Sequence, residues 1–227
     1  DWIPHPDKFF CTRPILPNYV LNNTAFYNAP KNAGTTIRMW IKYNEDQNAL
    51  GDLQQLKGYY NLAPFGAPKG WIRNIVGPNR FFQRRDDVNL RWCVKRDTLA
   101  RFVSAYRDKI LNEKIANWTV DETIELLENG RMQKLAESDA NLNLLAAHFV
   151  PQYVWLGTDT AYYSHVFDIT EMAAVKEFCE KVVFNRPLPD LHARDQSKSK
   201  TQSVTLPDEQ IVRIRKVFAK DYEVGWA

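Results

Sequence analysis

A lysine, a glycine and two threonines follow a short apolar segment, an arrangement suited to holding a phosphate group. Ala25–Tyr27 predicts a buried strand, and the next residues predict a tight turn that opens a helix. A helix N-terminus presents unpaired N–H groups and a partial positive charge. Gly34 lets the backbone approach an anion closely, and Lys31 adds a mobile cation. The predicted anion site comprises Lys31, Asn32, Ala33, Gly34, Thr35 and Thr36.

The order of these residues differs from that of a Walker A loop. In that pattern the lysine directly precedes the serine or threonine. Here Lys31 lies three positions before Gly34, and the threonines follow the glycine. An ordinary strand–turn–helix corner without a ligand is the alternative interpretation of this segment.

A second segment places an arginine and a serine where they also suit a phosphate. Residues 91–95 predict a strand that runs into a helix, and Arg96 lies at the end of the strand, where ligands collect in open α/β sheets. Ser104 follows eight residues later, about two helical turns, so its hydroxyl faces the same side as Arg96. A guanidinium and a hydroxyl that converge there suit a phosphate monoester. The alternative is a surface ion-pair cluster of Arg96, Asp97 and Arg101.

These two segments resemble the nucleotide-binding elements of sulfotransferases that use 3′-phosphoadenosine 5′-phosphosulfate (PAPS). The order strand, Pro-Lys, Gly-Thr-Thr and helix in residues 25–41 is similar to the family's 5′-phosphosulfate loop. Residues 91–107 are similar to its 3′-phosphate element, an apolar strand followed by Arg-Asp-Pro and Arg-Phe-x-Ser-Ala-Tyr-Arg. Thr98 stands where that pattern has proline, a residue that is favoured but not required at a helix start.

The resemblance continues towards the C-terminus, in the expected order. His148-Phe-Val-Pro-Gln152, the segment 166–171 and the segment 206–222 look like the corresponding parts of membrane-type carbohydrate sulfotransferases and their bacterial relatives. The resemblance therefore covers most of residues 25–222. It implies a P-loop-like sulfotransferase fold, PAPS as cofactor, 3′-phosphoadenosine 5′-phosphate as product, and no metal.

The resemblance also implies roles for individual residues. Lys31 is expected at the bridging and sulfuryl oxygens, and Arg96 with Ser104 at the 3′-phosphate. The polar, cationic stretch between Asp190 and Ser203 lies where the family has a loop over the nucleotide, so Ser197 and Lys198 are expected to touch the cofactor. A solvated loop is the alternative for those two side chains.

The base that would accept the proton of the acceptor is less clear from the sequence. His148 is the first candidate, because it lies in the matched segment and a histidine titrates near neutral pH. A structural histidine at a helix end is the alternative. The rival carboxylates are Glu45, Asp46, Asp52, Asp86 and Asp87.

The positions of strands and helices predict an α/β single domain with a central parallel sheet flanked by helices on both faces. The domain is expected to span residues 1–227, with a Pro-rich N-terminal arm at 1–24 and a substrate-side insertion at 45–90. Short strands are expected at 25–27 and 166–169. Further helices are predicted from Thr119 as N-terminal cap, over 139–147, from Glu171 to Val182, and from Leu206 onwards.

Composition restricts the class of partner and the compartment. The net charge of +3 does not by itself indicate nucleic acid, and no apolar run is long enough to span a bilayer. Three cysteines in no metal-binding pattern indicate a reducing, cytoplasmic compartment. Two glycosylation sequons, at Asn22 and Asn117, and a first residue other than methionine keep open a lumenal, Golgi-type domain whose anchor has been removed.

We therefore expect an enzyme that moves a sulfuryl group from PAPS to a hydroxyl, or in second place an amine, of a carbohydrate or small metabolite. No nucleic-acid partner is expected, and the sequence does not indicate an oligomeric state. Two alternatives remain at this point: a P-loop enzyme related to nucleotide kinases, and a non-catalytic module that binds polyanions.

Overall fold

The computed structural model describes residues 19–21, 23–45, 88–191 and 203–227. In these ranges four strands form one sheet in the order β1-β2-β3-β4. The strands are β1 (Tyr19–Leu21), β2 (Thr24–Asn28), β3 (Leu90–Lys95) and β4 (His165–Asp168).

Three of the strands are parallel and end at the same edge of the sheet. β1 pairs antiparallel with β2, whereas β2 with β3 and β3 with β4 pair in parallel. Asn28 lies opposite Val94, and Lys95 lies opposite Asp168. The segments that follow β2 and β3 therefore leave the sheet side by side, at the edge where ligands bind in open α/β sheets.

Helices connect and follow the strands. The first, α1 (Gly34–Glu45), follows β2, and α2 (Thr98–Tyr106) follows β3 and continues as a π-helical turn over Arg107–Asn112. The next four are α3 (Val120–Glu128), α4 (Arg131–Ser138), α5 (Ala140–Phe149) and α6 (Gln152–Leu156). After β4 come α7 (Met172–Phe178), a π-helical turn over Cys179–Val183, α8 (Asp208–Val217) and α9 (Ala219–Glu223).

Alternate residues of the strands face two separate apolar clusters, which is the pattern of a sheet covered on both faces. One cluster joins Phe26, Trp92 and Val94 to α1 and α7. The other joins Ala25, Tyr27 and Cys93 to the end of α5, to α6 and to Trp226. A third cluster lies among α2, α3, α5 and α8 and holds α2 in place beside the sheet.

The predicted α/β architecture, with a parallel sheet between helices, is confirmed in the described residues. Within the predicted arm, residues 19–21 form an additional antiparallel strand. The helix expected over Glu171–Val182 is instead an α-helix from Met172 that becomes π-helical at Cys179. The other predicted elements agree with the structure to within one or two residues. Residues 46–87, most of the predicted insertion, lie outside the described ranges.

Candidate functional site

The turn between β2 and α1 has a strained backbone of the kind that binds anions. Lys31 has φ 73° and Ala33 has φ 58°, whereas Asn32 between them is not in that region. A left-handed conformation costs a non-glycine residue on the order of 1 kcal/mol, and alternation of this kind produces concave sets of N–H groups. The first helical bond runs from Ile37 N to Ala33 O at 3.2 Å, so the N–H groups of residues 34–36 have no acceptor within the helix.

Gly34 packs closely against the end of β2 at the start of α1. A Cβ at this position would lie 2.3 Å from Asn28 Nδ2 and 2.9 Å from Asn28 Cγ. The side chain of Asn28, the last residue of β2, therefore lies directly against the first helical residue. The sequence predicted a need for glycine here because of a ligand, and the structure adds a neighbouring side chain as a second reason.

The amine of Lys31 contacts a carboxylate that the sequence analysis did not identify. Lys31 Nζ lies 3.0 Å from Asp108 Oδ2, and Lys109 Nζ lies 3.3 Å from the same oxygen. Lys109 also pairs with Glu113 at 2.7 Å. Burial alone would raise the pKa of Asp108, but the two lysines lower it below its ordinary value. Asp108 is therefore ionised at neutral pH and partly neutralises Lys31.

Arg96, which follows the end of β3, lies against the same turn. Its Nη1 donates to Lys31 O at 3.0 Å. Burial, followed by the charge of Arg107, lowers the pKa of Arg96, although an arginine remains charged at neutral pH. The turn after β2 and the end of β3 therefore bring two cations, Lys31 and Arg96, to one place.

Ser104 lies on the face of α2 that is directed at the turn. Arg101, three positions earlier, donates from Nε to Pro30 O at 3.0 Å, and Asp108, four positions later, contacts Lys31. Residues at these spacings share a helix face. The side chain of Ser104 is partly buried between these two contacts along the helix.

Arg101 is buried and its guanidinium binds carbonyl oxygens of two segments, so its interpretation as a member of a surface ion-pair cluster is wrong. The residue is 1% exposed. Besides Pro30, it donates from Nη2 to His148 O at 3.2 Å and to Val150 O at 2.5 Å. Burial lowers the pKa of Arg101 to about 10, so it still carries its charge at neutral pH. Asp97 is exposed and caps α2, accepting from Ala100 N at 2.7 Å.

His148, the predicted base, lies in the last turn of α5. Its Nδ1 is 2.7 Å from Leu144 O, and because a carbonyl only accepts, this contact places the proton on Nδ1 and leaves the Nε2 lone pair open. Burial and the nearby charge of Lys109 lower the pKa of His148 to about 3. The imidazole is therefore neutral at physiological pH. Lys31 and Asp108 are also close enough to influence its charge electrostatically.

The side chain of Asn32 is directed into the protein rather than towards a ligand. It is fully buried and donates from Nδ2 to Val94 O at 2.9 Å and to Gln152 Oε1 at 2.6 Å. Only its backbone is available to an anion in the turn. No local signal in the sequence identifies Gln152 as a partner of this turn, because Gln152 and Asn32 are 120 positions apart.

Thr35 and Thr36 are half-buried in the first turn of α1, and the other predicted residues fall where the structure gives no side-chain position. Ser197 and Lys198 lie outside the described ranges, as do Asp46, Asp52, Asp86 and Asp87. Glu45 ends α1, and only its backbone is described. Among the candidates for the base, His148 is therefore the one whose surroundings are described.

No helix in the described ranges has the length and apolar character needed to cross a membrane. In the same ranges, no group of three or more His, Cys, Asp or Glu side chains is arranged to hold a metal ion. Comparisons with family models, curated proteins and solved structures found no match to the chain.

Proposed function

We propose that the chain is a PAPS-dependent sulfotransferase with a P-loop-like sulfotransferase fold. The contact between Arg96 Nη1 and Lys31 O, at 3.0 Å, is the observation that carries the proposal. It joins the two segments that resemble the 5′- and 3′-phosphate elements of that family, and it does so at the carboxyl ends of adjacent parallel strands. One nucleotide with phosphates on both its 5′ and 3′ oxygens would use both segments.

The residues that would bind the nucleotide form two groups, one for each phosphate. The N–H groups of residues 34–36 and the hydroxyls of Thr35 and Thr36 would hold the 5′-phosphate at the start of α1. Arg96 and Ser104 would hold the 3′-phosphate through charge-assisted and neutral hydrogen bonds. These donors are separate from the buried side chain of Asn32, which supports the turn from beneath.

The bound nucleotide supplies an activated sulfuryl group, whose S–O bond to the 5′-phosphate breaks as the acceptor oxygen bonds to sulfur. Lys31 stabilises the negative charge that grows on the bridging oxygen. His148 accepts the acceptor's proton at Nε2, which the Leu144 contact leaves open. A histidine with a low pKa is a weak base, but it is sufficient for a late transfer, because the acceptor oxygen becomes strongly acidic once it is bonded to sulfur.

The position of Lys31 differs from that of the lysine in nucleotide kinases. Lys31 lies before Gly34 and its amine contacts Asp108, whereas the kinase lysine directly precedes the hydroxyl residue.

We infer that the acceptor is a hydroxyl, or in second place an amine, of a carbohydrate or small metabolite. Incubation with sulfur-labelled PAPS and a panel of glycans, phenols and alcohols would identify the acceptor class. Labelled product that requires both PAPS and one acceptor is the expected result.

Calorimetry with adenosine 3′,5′-bisphosphate tests the nucleotide site directly. Arg96→Ala and Ser104→Ala are expected to weaken binding, the former by roughly 10- to 100-fold, the value of one or two charge-assisted hydrogen bonds. Arg213→Ala is the matched control, because its guanidinium is paired with Asp121 and Glu128 on α3. Unchanged affinity in both test variants would refute the assignment. Magnesium-dependent binding of ATP would favour a kinase-like enzyme instead.

A further inference from the structure

The carboxamide of Gln152 connects the two proposed phosphate-binding segments through four hydrogen bonds. Gln152 is fully buried at the start of α6. Its Oε1 accepts from Asn32 Nδ2 at 2.6 Å and from Arg96 N at 3.1 Å. Its Nε2 donates to Arg96 O at 2.8 Å and to Trp226 O at 2.9 Å. Two donated and two accepted bonds engage both ends of the amide.

The contact with Arg96 requires a carboxamide in particular. Gln152 accepts from the N–H of Arg96 and donates to the C=O of the same residue, as a neighbouring strand would do. Only asparagine and glutamine carry an adjacent donor and acceptor on one planar group in this arrangement. The contact continues the hydrogen bonding of β3 one residue beyond its end and holds the backbone of Arg96 in place.

The position of Gln152 is itself held by a second buried group. Asp221, fully buried on α9, accepts from Gln152 N at 2.9 Å and from Tyr153 N at 2.8 Å. These bonds satisfy the first N–H groups of α6, which have no acceptor within that short helix. The carboxamide is therefore held by the rest of the protein and cannot simply follow the movement of either phosphate segment.

We propose that Gln152 is a positioning residue that sets the spacing between the two phosphate-binding segments, and with it the preference for a 3′,5′-bisphosphate over a 5′-monophosphate. The inference rests on the proposed function. A 3′-phosphate adds binding energy only when Arg96 lies at the correct distance from the turn that holds the 5′-phosphate, and small misplacements are costly. Loss of Gln152 removes one support of the turn, at Asn32, and both carboxamide bonds to the backbone of Arg96, so this group no longer fixes the spacing between the two segments.

The test compares the affinities of adenosine 3′,5′-bisphosphate and adenosine 5′-phosphate by calorimetry. The measured quantity is the dissociation constant of adenosine 5′-phosphate divided by that of adenosine 3′,5′-bisphosphate. In Gln152→Ala we expect this ratio to fall by about tenfold or more. In an Arg96→Ala background the same substitution is expected to change the ratio by less than about twofold, because the contribution of the 3′-phosphate has already been lost. Gln152→Asn keeps the carboxamide on a side chain that is one methylene shorter. It replaces Gln152→Ala in this test if the alanine variant does not fold.

Thr123→Val is the matched control for a loss of stability alone. Thr123 is fully buried in α3 and donates to Thr119 O at 2.8 Å, so its substitution removes one hydrogen bond at the start of α3 rather than one at the turn. The ratio of dissociation constants is expected to stay at the wild-type value in this variant. An unchanged ratio in folded Gln152 variants would overturn the inference while the proposed function stood. A wild-type protein without any preference for the bisphosphate would overturn both.

Discussion

At the scale of single residues, the carboxylate of Asp108 controls how much positive charge Lys31 offers to a ligand. It lies 3.0 Å from Lys31 Nζ and is only 6% exposed, so the pair is weakly screened by solvent. Lys109 pairs with the same carboxylate. It also pairs with Glu113, which adds a second negative charge near the two lysines. The cations of the site are therefore partly neutralised. An anionic ligand that binds Lys31 must compete with Asp108 for its amine.

Replacement of Asp108 by asparagine should strengthen the binding of adenosine 3′,5′-bisphosphate. The substitution keeps the shape of the side chain but removes the charge that neutralises Lys31 and repels phosphate. We expect affinity to increase roughly tenfold, or about 1.4 kcal/mol, in calorimetric titrations at low salt. Glu113→Gln removes the same charge from a residue that pairs with Lys109, and it should change affinity by less than about twofold. Equal increases in both variants would show a general charge effect without a role for the Lys31 contact.

The low pKa of His148 makes a prediction for stability as well as for catalysis. In the unfolded chain a histidine has its ordinary pKa, about 6.5, whereas His148 in the folded protein has a pKa of about 3. Between these values the unfolded state binds a proton that the folded state does not, so the free energy of unfolding falls as the pH falls below about 6.5. The contribution reaches about 1.4 kcal/mol per pH unit and is absent above pH 7.

This prediction can be measured by urea unfolding between pH 4 and pH 8. The variant His148→Asn, whose amide can still donate to Leu144 O, should show a shallower decline below pH 6.5 than the wild type. Thr123→Val, which removes a hydrogen bond of a buried side chain but no titratable group, should keep the wild-type slope. A decline in His148→Asn as steep as in the wild type would contradict the assigned shift.

At the scale of elements, the start of α2 contains a buried hydroxyl group, that of Thr98. Thr98 is 1% exposed, and its Oγ1 has no hydrogen-bond partner among the described residues. Asp97 before it has φ −47° and ψ 131°, which a following proline also favours. The cap of α2 is made by Asp97 and does not involve the hydroxyl of Thr98. The departure from the Arg-Asp-Pro pattern therefore leaves a small local defect in stability.

Two substitutions of Thr98 should stabilise the protein. Thr98→Val removes the unpartnered hydroxyl at constant shape and is expected to raise the free energy of unfolding by about 1 kcal/mol. Thr98→Pro also restricts the unfolded chain, and an increase of about 0.4–1 kcal/mol is expected from that cause alone. Urea titrations measure both. A loss of stability in Thr98→Val would mean that the hydroxyl has a partner in the folded protein.

Local signals in the sequence predicted individual elements well. Thr119 was predicted to start a helix, and it forms a capping box with Glu122 at the start of α3. The convergence of Lys31 and Arg96 also follows from local information, because parallel strands place their carboxyl ends together. Asp108 was missed, although it shares a helix face with Ser104, because only a contact across 77 positions distinguishes it from other helical carboxylates.

At the scale of the whole molecule, buried polar side chains join distant segments to the turn after β2. Arg101 links the turn to the end of α5, and Gln152 links it to β3 and to the residues after α9. Their partners lie 47 to 120 positions away in sequence. Spacing along the chain cannot predict such links, which explains why Arg101 was open to interpretation as a surface residue.

Arg101 should therefore matter more for stability than any exposed arginine. It makes three hydrogen bonds to carbonyl oxygens, and its charge partly offsets the burial that raises the pKa of Asp221. Arg101→Met leaves these acceptors and that carboxylate without their cation, and we expect a loss of about 3–5 kcal/mol in the free energy of unfolding. Arg213→Met, which breaks exposed ion pairs on α3, should cost less than about 1 kcal/mol. If both variants lost the same small free energy of unfolding in urea titrations, Arg101 would not contribute as its burial indicates.

The double variant Arg101→Met with Asp221→Asn should lose less free energy of unfolding than the sum of the two single losses, because the two buried charges stabilise one another.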